Sequence, residues 1–158
     1  MSFSPSRYPA GMIPRTVNRP LASGASGKRG ALLLMDANGA YATCGADPAS
    51  IAATAATDYG SDTSGFNHTG SKNFPPGYLQ GHAIEAGQLF KAQYVGTLPA
   101  AAGGSYGVVL DSDGLWKVDF AETTNTRLKL IRLLTDSPQN RPEVEVEFLV
   151  ANVQLIGY

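Results

Sequence analysis

Cysteine is almost missing from this chain of 158 residues. Cys44 stands alone, so no internal disulfide can form and packing or partners must supply the stability. A lone cysteine of this kind is expected to be a small buried apolar residue rather than a nucleophile. Charge is also scarce, at 16% of residues against a usual ~25%, and the formal net charge is −1. That excludes a highly charged disordered tail and speaks against nucleic acid or an acidic membrane surface as partner. The only histidines, His68 and His82, lie fourteen positions apart with no Cys or His at ligand spacing, so no metal site is expected. Long apolar runs are lacking too. The cluster ALLLM at 31–35 falls far short of the ~18–20 residues of a membrane span. The opening MSFSPSRYPAGMIPRT has no apolar core of the kind a secretory signal needs. A soluble chain made in a reducing compartment is expected, without membrane contact.

Glycine and proline, by contrast, are abundant: 18 and 10 residues, together about 18% against a usual ~12%. A coiled coil or a mostly helical bundle is thereby excluded. The charges are also unevenly spread. Arg7, Arg15, Arg19, Lys28 and Arg29 precede the first acid, Asp36, while all 13 acidic residues follow. Pro5, Pro9, Pro14 and Pro20 punctuate the same stretch, each fixing φ and removing a backbone donor. Ser23, Gly24, Ser26 and Gly27 then supply flexibility. Residues 1–30 therefore read as an extended basic arm and 31–158 as the body. At ~3.1–3.3 Å per residue the arm could span on the order of 90 Å. Ordering it would cost on the order of 30–60 kcal/mol. Offsetting even the lower figure by apolar burial needs over ~1,000 Å². The expectation is that the arm docks on something much larger and that the body folds without it.

The body reads as β. Two short apolar runs flank Asn38-Gly39, a two-residue hairpin signal. Asp47-Pro48 followed by ASIAATAAT suggests a short helix over 48–57, with Asp47 as N-cap. Residues 58–80 form a long Gly/Ser/Asn/Pro loop that carries Tyr59, Phe66, Phe74 and Tyr78, packed on the body or presented to a partner. Strands are expected at 89–95, 106–111, 115–121 and 127–134, with a tight turn at Ser112-Asp113-Gly114. In the last stretch Val144, Val146 and Phe148 should face the core, and Glu143, Glu145 and Glu147 water. The fold class is all-β: a small antiparallel barrel or sandwich of five to eight strands with one short helix and an extended N-terminal arm.

Motifs that could carry chemistry fail on inspection. Gly24-Ala25-Ser26-Gly27-Lys28-Arg29 lacks the earlier glycine and the Ser or Thr of a phosphate loop. Asp111-Ser112-Asp113-Gly114 opens like a calcium loop, and Glu122 stands at the twelfth position, but the residues between alternate as a strand. No G-x-S-x-G occurs. No enzyme and no cofactor is expected. Five charges over thirty residues are sparse for a nucleic-acid tail, so direct nucleic-acid binding is disfavoured.

An extended Pro/Ser/Gly/Arg arm, an Ala/Gly-rich middle and a β-body, with Gln88 to Lys91, Gly107 to Leu110, the hairpin at 115–121 and the strand at 143–155, resembles the head decoration (cement) proteins of tailed bacteriophages. The resemblance is architectural. It implies a structural protein on the outside of a capsid, a dimer or trimer that bridges neighbouring capsomers and stiffens the shell, made in the host cytoplasm. The partner it implies is the major capsid protein. Arg7, Arg15, Arg19, Lys28 and Arg29 would then meet acidic shell groups, and Tyr8, Met12 and Ile13 would fill small pockets. Tyr59, Phe66, Phe74 and Tyr78 would be offered to the shell or a sister copy. A competing expectation is a carbohydrate- or peptide-binding barrel of a tail or fibre, with those four aromatics and Trp116 as its platform.

Overall fold

A computed structural model describes residues 3–8, 15–60, 77–85, 87–134 and 143–154. Among these residues eleven strands, more than the five to eight expected, make two sheets. They are β1 (Ser4–Arg7), β2 (Thr16–Pro20), β3 (Leu32–Met35), β4 (Tyr41–Thr43), β5 (Ala53–Ala55), β6 (Tyr78–Ala83), β7 (Leu89–Val95), β8 (Ser105–Leu110), β9 (Trp116–Asp119), β10 (Leu128–Leu134) and β11 (Glu143–Phe148). The all-β class holds. Among the described residues no α-helix is found, and a 3-10 turn forms at Val150–Asn152.

The first sheet runs β1-β7-β11-β10-β8-β9, and β9 returns to pair with β7, so five of its strands close into a barrel. That return is parallel, Tyr94 opposite Val118, so the sheet is mixed rather than purely antiparallel. Alternation fills the barrel: Phe90 and Ala92, Val144 and Val146, Leu128 and Leu130, Trp116 and Val118 are all buried. The strands expected at 89–95, 106–111, 115–121 and 127–134 match β7 to β10 to within a few residues at their ends. The 112–114 turn joins β8 to β9, with Gly114 at φ 79°.

The second sheet runs β2-β6-β5-β3-β4. A parallel bridge between Leu21 and Tyr41 brings its two ends together, with Ala22 N–H donating to the Tyr41 carbonyl at 2.8 Å. Asn38-Gly39 is the β3–β4 hairpin turn as read, with Gly39 at φ 76°. Tyr41 lies across the interior, its hydroxyl donating to the Val17 carbonyl at 3.1 Å. A Cβ at Gly81 would sit 2.8 Å from that hydroxyl oxygen and 2.9 Å from the Ala53 methyl carbon. Glycine there is a matter of space. Gly81→Ala is expected to cost about 1–3 kcal/mol by overpacking, read as a lower urea midpoint at unchanged slope.

Two expectations are corrected. The stretch 48–57 is not a helix. Ile51 to Ala55 are all buried, and Ala53–Ala55 is the central strand of the second sheet, paired to β3 and β6. A short apolar run buried on both faces carries no periodicity to separate strand from helix. Asp47 takes φ 47°, a left-handed residue in a turn rather than an N-cap. Nor do the described residues of 1–30 form a free arm. Ser4–Arg7 pairs with β7 and Thr16–Pro20 with β6. Phe3 is 1% exposed, its ring 5.3 Å from that of Phe148. Pro5 and Pro20 are compatible with this because they sit at a bulge and a strand end: the register shifts between Pro5 and Arg7, and Pro20 ends β2. The chain thus threads from the first sheet to the second and back. Its last described stretch crosses again: Ile51 N–H donates to Asn152 O and Gln154 N–H to Ile51 O, each at 2.8 Å.

Candidate functional site

The basic residues expected to meet a partner are mostly engaged by their own chain. The bulge in β1 turns both Ser6 and Arg7 toward Glu145 on β11. The Ser6 hydroxyl donates at 2.5 Å, Arg7 forms an ion pair, and the Arg132 Nε lies 3.5 Å away. Glu145 was expected to face water but its side chain is fully covered. Burial opposes its ionisation, yet the hydrogen bonds from Arg7 and Ser6 and the nearby guanidinium charges outweigh it, holding the carboxyl below the usual range. Arg15 pairs with Glu85 at 3.0 Å. The Lys28 ammonium donates to the Asp113 carbonyl at 2.7 Å, across the β8–β9 turn. Arg19 lies beside Gly39 and Tyr41. Arg29 is exposed, its N–H bonded to Asp58 at 2.7 Å.

The aromatics divide likewise. Tyr8 is half-buried and hydrogen-bonded to Gln88; burial raises its pKa. Tyr59 is fully buried, its hydroxyl 2.8 Å from Thr43 Oγ1, and Trp116 is in the core. The proposed aromatic platform is therefore dismantled at two of its five members. Tyr78 is half-buried and opens β6, so that strand starts inside the expected 58–80 loop. Met12, Ile13, Phe66 and Phe74 lie outside the described residues.

At the calcium-like turn, the Lys117 ammonium donates to Asp111 Oδ2 at 2.6 Å and Asp113 Oδ2 at 2.7 Å. An internal cation holds these carboxylates, which explains their lowered pKa values: the Lys117 hydrogen bond comes first, then the turn N–H groups. Among the described residues no cluster of His, Cys, Asp and Glu is arranged to hold a metal, and no helix is long and apolar enough to cross a membrane.

The concave feature that emerges is one that linear reading missed. A cleft of about 420 Å³ opens between the two sheets. The end of β4 and the turn after it, Cys44 to Asp47, form one wall. Residues of β8 and β9 with Glu122 form the other. Trp116 and Val108 are buried beneath it, whereas Leu110 is 51% exposed at its edge. Arg127 clasps the walls together, donating to the backbone carbonyls of Pro48 and Asp47. Cys44 is buried here, and burial pushes its thiol up to about 12, so it stays protonated and unreactive at neutral pH. Asp47, Asp119 and Glu122 put three acidic residues along the cleft, and none of them forms an ion pair among the described residues. No signal in the linear sequence joins residues 44–47 to 108–122; only the docking of the two sheets does. Comparison with family models, with curated proteins and with solved structures finds no match.

Proposed function

We propose that this chain is a structural virion protein that binds the outside of a capsid shell and stabilises it, in the manner of a tailed-phage decoration protein. The observation that supports this best is the interlocked pair of sheets, filled by the chain's own side chains. Tyr41 occupies the interior of one; Phe90, Trp116, Leu128 and Val146 pack the other. A body so filled leaves its outer surface to act, and threading the first and last segments through both sheets ties it into one block. Such a block can bridge shell subunits without yielding. The reading no longer rests on a free arm: Arg7, Arg15 and Lys28 hold the body together, and contact with the shell falls to the surface.

The test is made on particles grown with and without the gene. The chain should remain with purified capsids through a density gradient, and particles lacking it should release DNA at a lower temperature. Loss of the chain from capsids on purification, with unchanged particle heat resistance, overturns the proposal. The aromatic sugar- or peptide-binding platform of a tail or fibre protein gains no support, because two of its members, Tyr59 and Trp116, are inside the protein.

A further inference from the structure

We propose that the cleft between the sheets is the docking groove for an extended peptide segment of the shell subunit, one that alternates basic and apolar residues. This rests on the shell-binding reading and names the surface that would carry it.

The groove pairs an apolar edge with an acidic lining. Leu110 lies opposite Trp116 in the β8–β9 ladder, yet Trp116 is covered and Leu110 is half in water. A large aliphatic side chain left open beside a buried indole is ready to receive an apolar side chain. Asp47, Asp119 and Glu122 line the same cleft, and the Arg127 guanidinium lies near enough to Glu122 to favour its charged form. Arg127 spends its donors on the carbonyls of Thr126, Pro48 and Asp47, so it clamps the wall rather than pairing with the carboxylates. Two of the acids are fixed in place: Asp119 Oδ1 accepts from Ala121 N–H at 2.9 Å, and Glu122 Oε1 from Thr124 and Asn125 N–H at 2.7 and 2.8 Å. Those turn hydrogen bonds, Asn125 first, also hold Glu122 below the usual carboxylate range, so it is charged at neutral pH. Preorganised negative charge beside an apolar anchor favours a cationic, apolar strand and repels an acidic one. A cleft of about 420 Å³ takes two or three side chains, which suits a short extended segment rather than a domain.

The experiment uses the full chain and a fluorescent peptide of about nine residues alternating arginine and valine. Controls are the same peptide with glutamate for arginine, and one with glycine for valine. Anisotropy should show binding of the arginine–valine peptide that weakens with added salt, and little binding of either control. Leu110→Lys should reduce affinity at least about tenfold, equivalent to about 1.4 kcal/mol. The double variant Asp119→Asn with Glu122→Gln keeps the oxygens that accept the turn N–H groups and removes two charges, so it should fold and also bind at least about tenfold more weakly. Equal binding of the glutamate peptide, or unchanged affinity in both variants, overturns the groove. On particles, Leu110→Lys should be lost from capsids that retain the wild type. If it is retained at full occupancy, the groove fails and the shell-binding reading survives. If the wild type itself is absent from capsids, the assignment to a shell subunit falls with that reading, whatever the peptide does.

Discussion

A chain lacking residues 1–21 is expected not to fold. The deletion removes β1 from the edge of β7 and β2 from β6, and with Leu21 it removes the bridge that joins the ends of the second sheet. It also takes the Val17 carbonyl from the Tyr41 hydroxyl and strips Ser6 and Arg7 from the covered Glu145 carboxylate. Unpaired groups of that kind are costly to leave inside a protein. The point variant Phe3→Ala isolates one component. Phe3 is buried against Phe148, which in turn stacks edge-on to Phe90 at 5.1 Å, so truncation opens a cavity under three strands. The expected loss is about 3–5 kcal/mol. For a domain of this size each kcal/mol lowers the melting temperature by about 2–4 °C. Circular dichroism and thermal unfolding read both variants. A deleted chain that unfolds cooperatively at the wild-type midpoint would show the first two strands to be dispensable.

The second large effect is expected at Glu145. Glu145→Ala leaves Arg7 and Arg132 facing each other and costs about 2–3 kcal/mol. That is below the ~3–5 kcal/mol of a wholly buried pair, because both guanidiniums are half in water. Its pH signature has a definite sign. The folded carboxyl titrates below its ordinary range, so its contribution is complete above the unfolded value of about 4.5 and is lost as pH falls through the folded value. Wild-type stability should therefore drop on acidification below about pH 4.5, and Glu145→Gln should be less stable at neutral pH but show a shallower acid limb. Asp111 and Asp113, also depressed, add to the limb in both proteins. Parallel acid limbs in the wild type and Glu145→Gln would remove Glu145 from the account.

The two largest departures from the sequence expectation, the paired β1 and β2 and the covered Glu145, have one cause. Proline spacing and the lack of acids made residues 1–30 look like an arm, and once they were set aside nothing remained to cover Glu145. Its alternation with Val144 and Val146 was read correctly, and its pleat face does point away from the barrel core. What covers it comes from about 140 positions earlier in the chain. The segment at 51–55 failed differently. Small apolar residues buried on all sides leave no period to read, so the sheet around them decided their conformation.

Several features follow from sequence alone, because each depends on residues close together: the all-β class, the Asn38-Gly39 and 112–114 turns, the alternation of β9, β10 and most of β11, and a buried, solitary Cys44. Turn chemistry and strand period are local properties, written in neighbouring residues. Closure of the sheets, the placement of β1 and β2, the burial of Tyr59 and Trp116, and the acidic groove were decided by tertiary structure. Each of these joins residues tens of positions apart, and their pairing depends on which surfaces can be buried together, a competition among distant segments that no local pattern records.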